Sequence, residues 1–213
     1  MADVAIVDYG MGNLRSVCKA IEHVAEGAEV VITSDPAVVR ASTRVVFPGQ
    51  GAMPDCMREL DARGLRPAVL DAAASKPFLG ICIGQQMLFA HSEEGNVSGL
   101  GVFPGNVVRF PPAESMPTAD GGHLKVPHMG WNQVWQRAPH PLWAGIPDGD
   151  RFYFVHSYHV VPADAALIAA ETEYGQRFTS AVARDNIFAV QFHPEKSAAA
   201  GLRLLSNFVG WAP

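Results

Sequence analysis

The sequence predicts an α/β fold: a mostly parallel sheet flanked by helices, followed by antiparallel strands beside or extending it. Three observations carry this. In the first half, short β-branched runs alternate with helical spacing, the mark of βαβ units. In the second half, strand-like runs follow one another with Gly and Pro between them, the mark of antiparallel pairing. The 213 residues, 48% of them hydrophobic, suffice for one core without disulfides or metals.

In chain order, Val4 to Tyr9 (VAIVDY) is the first strand, Glu29 to Thr33 (EVVIT) the second, Arg44 to Gly49 (RVVFPG) the third and Pro77 to Ile81 (PFLGI) the fourth. Leu14, Val17, Ile21 and Val24 recur at three- and four-residue spacing, which predicts a helix with one apolar face and Asn13 as its N-cap. Gly84 to Ser92 reads as the helix after the fourth strand. The later strand runs are VFPGNVVRF, WNQVWQ, RFYFVHSYHVV, LIAAETEY, FTSAVARDN and IFAVQFH, and a helix over Ala198 to Val209 closes the chain. Pro111 to Gly122, rich in Pro, Ala and Gly, is the candidate mobile loop. Without an internal repeat or a composition break, residues 1–213 read as a single domain.

Composition excludes several classes. A formal net charge of −5 with no run of like charges argues against a nucleic-acid binder. No stretch approaches the ~18 uninterrupted apolar residues of a membrane span, and the start, MADVAIVDYG, lacks a basic n-region, so it reads as a strand rather than a signal peptide. Cys18, Cys56 and Cys82 form no C-x-x-C pair, which suits a reducing cytoplasm.

One cysteine stands apart. Gly80-Ile81-Cys82-Ile83-Gly84 lies where the fourth strand meets a helix, and glycines two before and two after the cysteine permit a strained nucleophile elbow. A helix N-terminus there favours a thiolate. The bland alternative is a small buried core residue, the usual fate of a free cysteine. A thiolate nucleophile needs a base and a group to orient that base. His193, just past a buried β run in FAVQFHPEKS, has Glu195 two residues on, and an extended segment kept so by Pro194 points both the same way. An ordinary strand exit with a solvated carboxylate is the competing reading.

Taken together, GICIGQQ, FPGQGA (Phe47 to Ala52) and QFHPEKS stand in the order and approximate spacing of class I glutamine amidotransferases, and the chain resembles that family nearly end to end. Within it, YGMGNLRS, VPHMGWN and YFVHSYH resemble the glutaminase subunits of imidazole glycerol-phosphate synthases. The resemblance implies a three-layer, flavodoxin-like fold with helices on both faces of the sheet. It implies hydrolysis of L-glutamine to glutamate and ammonia, with Cys82 as nucleophile, His193 as general base and acid, and Glu195 as its orienting partner. An oxyanion hole would come from the backbone N–H groups of Gln50 and Ile83, and substrate contacts from Gly49, Gly51, Gln86, Ser157 and Tyr158. Gln50 fills the third position of PGQG, where several relatives carry small apolar residues.

The same resemblance implies a heterodimer with a (β/α)₈ cyclase subunit. That partner receives ammonia through a channel and makes imidazole glycerol phosphate and aminoimidazole carboxamide ribonucleotide in L-histidine biosynthesis. Asn13, Arg15, Met129, Trp131, Asn132 and Lys196 are the implied docking residues. Other glutaminase subunits, for anthranilate, aminodeoxychorismate or pyridoxal phosphate synthesis, and other cysteine hydrolases on the same scaffold are the alternatives.

Two further motifs are weaker. Gly10 and Gly12 in YGMGNLR invite a dinucleotide reading, but Arg15 stands where the third glycine belongs, so no cofactor is expected. His156 and His159, three apart on a strand, should face opposite sides, so no metal site is expected. Cys18 and Cys56 lack elbow glycines and read as structural. Trp131, Trp135, Trp143 and Trp211 read as core or interface anchors.

Overall fold

The computed structural model describes residues 2–118 and 121–213. The first half alternates as the periodicity predicts: β1 (Val4–Val7), α1 (Leu14–Val24), β2 (Val30–Thr33), α2 (Pro36–Ala41), β3 (Arg44–Gly49), α3 (Met53–Ala62), α4 (Arg66–Ser75) and β4 (Phe78–Cys82). Every residue of β1 and β4, and all of β3 but Arg44, is buried. Their unbroken apolar runs are what a parallel strand covered on both faces requires.

The rest of the chain comprises α5 (Ile83–Gln86), β5 (Phe89–Ser92), β6 (Val97–Ser98), β7 (Phe103–Arg109), β8 (His128–Gln133), β9 (Trp135–Gln136), β10 (Arg151–His156), β11 (Tyr158–Pro162), β12 (Ile168–Tyr174), β13 (Gln176–Arg184), β14 (Ile187–Val190) and α6 (Ala198–Gly210). Five strands, in the order β2-β1-β3-β4-β14, are all parallel. That is the doubly wound order of flavodoxin-like sheets. The step from β1 to β2 runs one way along the sheet, and the steps from β2 to β3 and β4 run the other. Right-handed crossovers then place α1 on one face and α2, α3 and α4 on the opposite one. The helix contacts agree, since α1 packs on α6 and α2 on α4.

Beyond β14 the sheet continues through β13, β11, β7, β5 and β6, with β12 on β13 and β9 on β12. These pairings are antiparallel except for β5 beside β7. β8 and β10 form a separate two-stranded ladder. The second half therefore both extends the parallel sheet and lies beside it. The two ladders divide the RFYFVHSYHVV run at Ser157, where the chain leaves the small sheet for the large one.

Several expectations are corrected. The helix over Gly84 to Ser92 is only the four residues of α5, and Phe89–Ser92 is a strand. QQMLFA is apolar enough for either state, and periodicity cannot separate a short buried helix from a short buried strand. Asn13 precedes α1 but its side chain makes no capping hydrogen bond. Within Pro111 to Gly122 the chain forms a 3-10 turn at Ala113–Ser115, and Pro117 bridges His123. Residues 119–120 of that segment lie outside the described residues.

The topology fixes where a site can form. β1 and β3 flank the point where the strand order reverses, and ligands of open α/β sheets bind at the carboxyl ends of strands there. Gly49 at the end of β3 pairs with Cys82 at the end of β4. Among the described residues no helix is long and apolar enough to cross a membrane.

Candidate active site

The elbow glycines have distinct steric reasons. A Cβ on Gly84 would overlap the Phe47 carbonyl oxygen and sit 2.9 Å from its carbon, in backbone that cannot move aside. A Cβ on Gly80 would press on Ala189 Cβ at 2.9 Å and on the Gly84 carbonyl at 3.2 Å. With both positions bare, α5 lies directly on β3 and β4, and the turn between β4 and α5 is tight. Cys82 carries the strain at φ 57°, ψ −114°, a left-handed conformation rare for a residue with a side chain. The side chain is less open than an exposed elbow would be: Cys82 is 4% exposed, at the floor of a pocket. α5 has one turn only, so its dipole contributes less to the sulfur than a full helix would.

That pocket, about 250 Å³, gathers Gln50, Gly51, Cys82, Ile83, Gln86, Ser157, Tyr158 and His193, and adds Glu94, Pro127, Val155 and His156. Gly49 lies at its edge, paired with Cys82. The Pro48-to-Gly51 turn is held from the core side: Tyr9 donates to the Pro48 carbonyl at 2.9 Å, and the Cys56 thiol to the Gln50 carbonyl at 3.7 Å. Gly51 adopts φ +112°, which a residue with a side chain would resist. Burial pushes the Cys56 thiol up to about 11, so it stays protonated and remains a donor. Cys56, expected to be structural, is thus in contact with the turn beside Cys82.

His193 and Glu195 meet, with Nδ1 2.8 Å from Oε1 and both side chains buried. The means differs from the extended segment expected. Pro194–Lys196 is a 3-10 turn, closed by Lys196 N–H donating to the His193 carbonyl at 3.0 Å. Proline at the first turn position suits this, since its φ is already helical and it has no N–H to leave unpaired. Burial alone would pull the imidazole down. The facing Cys82 sulfur and the Glu195 carboxylate outweigh it and push the His193 pKa up to about 10. The other ring nitrogen, Nε2, is buried without a hydrogen-bond partner.

Sequence reasoning missed Gln191. Its Nε2 donates to Cys82 Sγ at 3.7 Å and its Oε1 accepts from Gln86 Nε2 at 2.9 Å. The signal was present, because Gln191 stands two residues before His193 and shares its side of the strand exit. Gln86 Nε2 also donates to the Tyr158 carbonyl at 3.0 Å, which leaves Gln86 Oε1 buried and unpartnered beside the pocket. Glu94, also missed, lines the pocket while its carboxylate caps α3 at the Met53 N–H, 2.8 Å away.

The proposed docking residues divide. On β8, Met129 and Trp131 are 61% and 49% exposed, and Lys196 and Trp131 both meet the Tyr153 ring. Asn13 and Arg15 are exposed at the start of α1, a helix that packs on the Pro194–Lys196 turn. Asn132 does not share the outer face, because strand alternation turns its amide inward to His128 and the Glu173 carbonyl. His156 and His159 do not lie on one continuous strand and do not face opposite sides. The strand breaks at Ser157, and both rings pack on Phe110, at 5.2 and 4.8 Å. Among the described residues no group of three or more His, Cys, Asp or Glu is placed to hold a metal.

Residues 5–210 match the glutamine amidotransferase class-I family. The chain is 78% identical over its whole length to all of the imidazole glycerol phosphate synthase subunit HisH of Aromatoleum aromaticum. It is 71% identical to the protein of the same name from Dechloromonas aromatica, over 99% of this chain and 97% of that one. Among solved structures, a glutamine amidotransferase superposes with a TM-score of 0.71 at 17% identity, covering 99% of this chain and all of the other. The glutaminase domain of the Trypanosoma brucei protein CTPS gives 0.64 at 18%, covering all of this chain and 96% of the other.

Proposed function

Because the chain belongs to the class I glutamine amidotransferases, a family of enzymes, we propose that it hydrolyses L-glutamine through Cys82, His193 and Glu195 and passes the ammonia to a synthase partner. The observation that carries the chemistry is the buried His193 Nδ1 to Glu195 Oε1 contact of 2.8 Å behind a strained elbow cysteine in the same pocket.

In this reading the Cys82 thiolate attacks the side-chain carboxamide carbon of glutamine. The carbonyl electron pair moves to oxygen, where the N–H groups of Gln50 and Ile83 receive the oxyanion, and one such donor is worth ~10²–10³ in rate. The His193 imidazolium protonates the departing nitrogen, and ammonia leaves a γ-glutamyl thioester on Cys82. His193, now neutral, takes a proton from water as its oxygen attacks the thioester, and the thiolate departs as glutamate forms. Glu195 holds the ring in one tautomer and offsets its charge. Gln191 donates toward the sulfur in both charge states. The free acceptor Gln86 Oε1 suits a substrate N–H, and the Ser157–Tyr158 segment forms the wall for the amino-acid end.

The two imidazole glycerol phosphate synthase subunits at 78% and 71% identity support the subunit role. The partner is then a (β/α)₈ cyclase that makes imidazole glycerol phosphate and aminoimidazole carboxamide ribonucleotide, and the chain acts in the cytoplasm as one domain of a heterodimer. Trp131 and Lys196, which both meet the Tyr153 ring, and Met129, exposed two residues before Trp131 on β8, suit the docking face, joined by Asn13 and Arg15.

The test is glutamate release from glutamine by the purified chain, alone and mixed with the cyclase and its ribonucleotide substrate. Release that rises strongly in the mixture, and is lost in Cys82→Ala while the variant still binds the cyclase, supports both chemistry and partner. Turnover retained in Cys82→Ala sinks the triad. A rate indifferent to the cyclase removes this partner.

A further inference from the structure

A hydrogen-bond chain runs from β8 to the wall of the glutamine pocket, and its donors point one way only. The Tyr158 carbonyl can only accept, so His156 Nδ1, 2.8 Å away, carries a proton. Burial keeps His156 neutral, so its Nε2 is a bare acceptor and receives the proton on His128 Nδ1, 2.9 Å away. His128, whose pKa burial lowers to about 4, is also neutral and offers a bare Nε2 to Asn132 Nδ2 at 3.2 Å. The Asn132 amide is oriented independently. Its Nδ2 also donates to the Glu173 carbonyl, and its Oδ1 accepts from the Gln133 N–H, both at 2.8 Å. The donor at one end and the carbonyl at the other thus fix both tautomers.

The rings have little freedom to choose otherwise. His128 is stacked between Tyr174 and Phe154, with centroids at 4.0 and 4.8 Å, and Phe110 covers His156 at 5.2 Å. At the pocket end, His156 and Gln86 take both acceptor positions of the Tyr158 carbonyl. Since Tyr158 O and Gln191 Oε1 only accept, the Gln86 amide nitrogen must face them and its oxygen is left for the pocket. The donor sequence then continues from Gln86 through Gln191 to the Cys82 sulfur.

We propose that His128 and His156 are positioning residues for glutamine hydrolysis, locked as neutral Nδ1–H tautomers in a one-way donor chain from Asn132 to the Tyr158 carbonyl. They act through Tyr158 and Gln86 and touch no reacting atom. The proposal rests on the glutaminase reading for its consequence, though the donor chain stands on geometry alone.

Long-range ¹H–¹⁵N correlation on the full chain with ¹⁵N-labelled histidine, at neutral pH, reads the tautomers directly. Two Nδ1–H rings, assigned by the loss of one signal in His128→Phe, are expected. An Nε2–H or imidazolium signal from either ring overturns the chain. Kinetics then read the role in the complex with the cyclase: His128→Phe should raise the KM for glutamine about tenfold, the weight of one lost hydrogen bond, with kcat within about twofold. His128→Gln, which can both accept and donate, should recover part of the loss. A lowered melting temperature with unchanged KM would show packing alone and overturn the role. Wild-type protein with both Nδ1–H signals but no glutamine turnover would refute the glutaminase reading, and the positioning role with it, while leaving the donor chain intact.

Discussion

Gly84→Ala tests the claim that the elbow exists because backbone lies directly on backbone. The added methyl would overlap the Phe47 carbonyl oxygen and lie 2.9 Å from its carbon. Ordinary carbon contacts begin near ~3.5 Å, so β3 or α5 must retreat by at least ~0.6 Å, and by more to clear the oxygen. Overpacking of this kind costs about 1–3 kcal/mol. For a chain of this size that is about 2–12 °C in melting temperature, at roughly 2–4 °C per kcal/mol. The kinetic loss should exceed the thermal one. Phe47 stands two residues before Gly49, α5 starts at the residue after Cys82, and both are held to the clash. A displacement near 1 Å at reacting atoms can cost about 10² in rate. The assay is glutaminase kcat/KM in the presence of partner beside a thermal melt. Gly210→Ala, at the end of α6 with nothing within 4 Å of a new Cβ, is the control and should be neutral or slightly stabilising. Wild-type kcat/KM and melting temperature in Gly84→Ala would refute the steric account.

Glu195→Gln removes the charge that helps hold His193 up while keeping a group of the same shape; kcat should fall by roughly 10³–10⁴, measured as glutamate release, with the fold intact by circular dichroism. Activity within tenfold of wild type would show that Glu195 only fills space. Acid stability follows from His128, which is 2% exposed and has its pKa lowered from 6.5 to about 4. A depressed histidine contributes stability in full above pH 6.5 and loses it as pH falls toward 4, a span of about 2.5 units or ~3 kcal/mol. His140, His156 and His159 are lowered too and add in the same direction. His193, raised, does the opposite: its contribution is whole below pH 6.5 and is lost as pH rises toward 10. Urea unfolding from pH 4 to 9 should therefore show a maximum near pH 6.5, and a flat acid limb would refute the buried-histidine account.

Much of this was legible in the sequence where one residue type answers one local demand. β1, β3 and β4 are unbroken apolar runs because both of their faces are covered, whereas β2, at the sheet edge, leaves Ile32 exposed. Gly80 and Gly84 mark the elbow because nothing larger fits beside Ala189 and Phe47. Other features depend on partners far along the chain and leave no local trace. α5 stops after one turn because Phe89 pairs with Phe103 on β7. Gln86 and Gln191 meet across 105 positions of sequence. The small sheet of β8 and β10 splits a run that reads as one strand, and with it the alternation that set His156 opposite His159.

The histidines show why burial by itself does not make a catalytic base. His128, His156 and His193 are all nearly sealed from solvent, at 2%, 6% and 5% exposure. Yet burial lowers the first two, while the third is pushed up to about 10. The difference lies in what each ring meets. His128 and His156 meet neutral donors, a carbonyl and aromatic faces, none of which repays an imidazolium for its lost hydration. His193 meets a carboxylate at 2.8 Å and a facing sulfur, and both favour the charged ring. In the proposed mechanism a proton on His193 is held and released during turnover, whereas the protons proposed on His128 and His156 Nδ1 fix the direction of the donor chain. A carboxylate introduced next to His128 should move that ring toward the behaviour of His193, and it would do so at the cost of the orientation that the neutral pair imposes on the pocket.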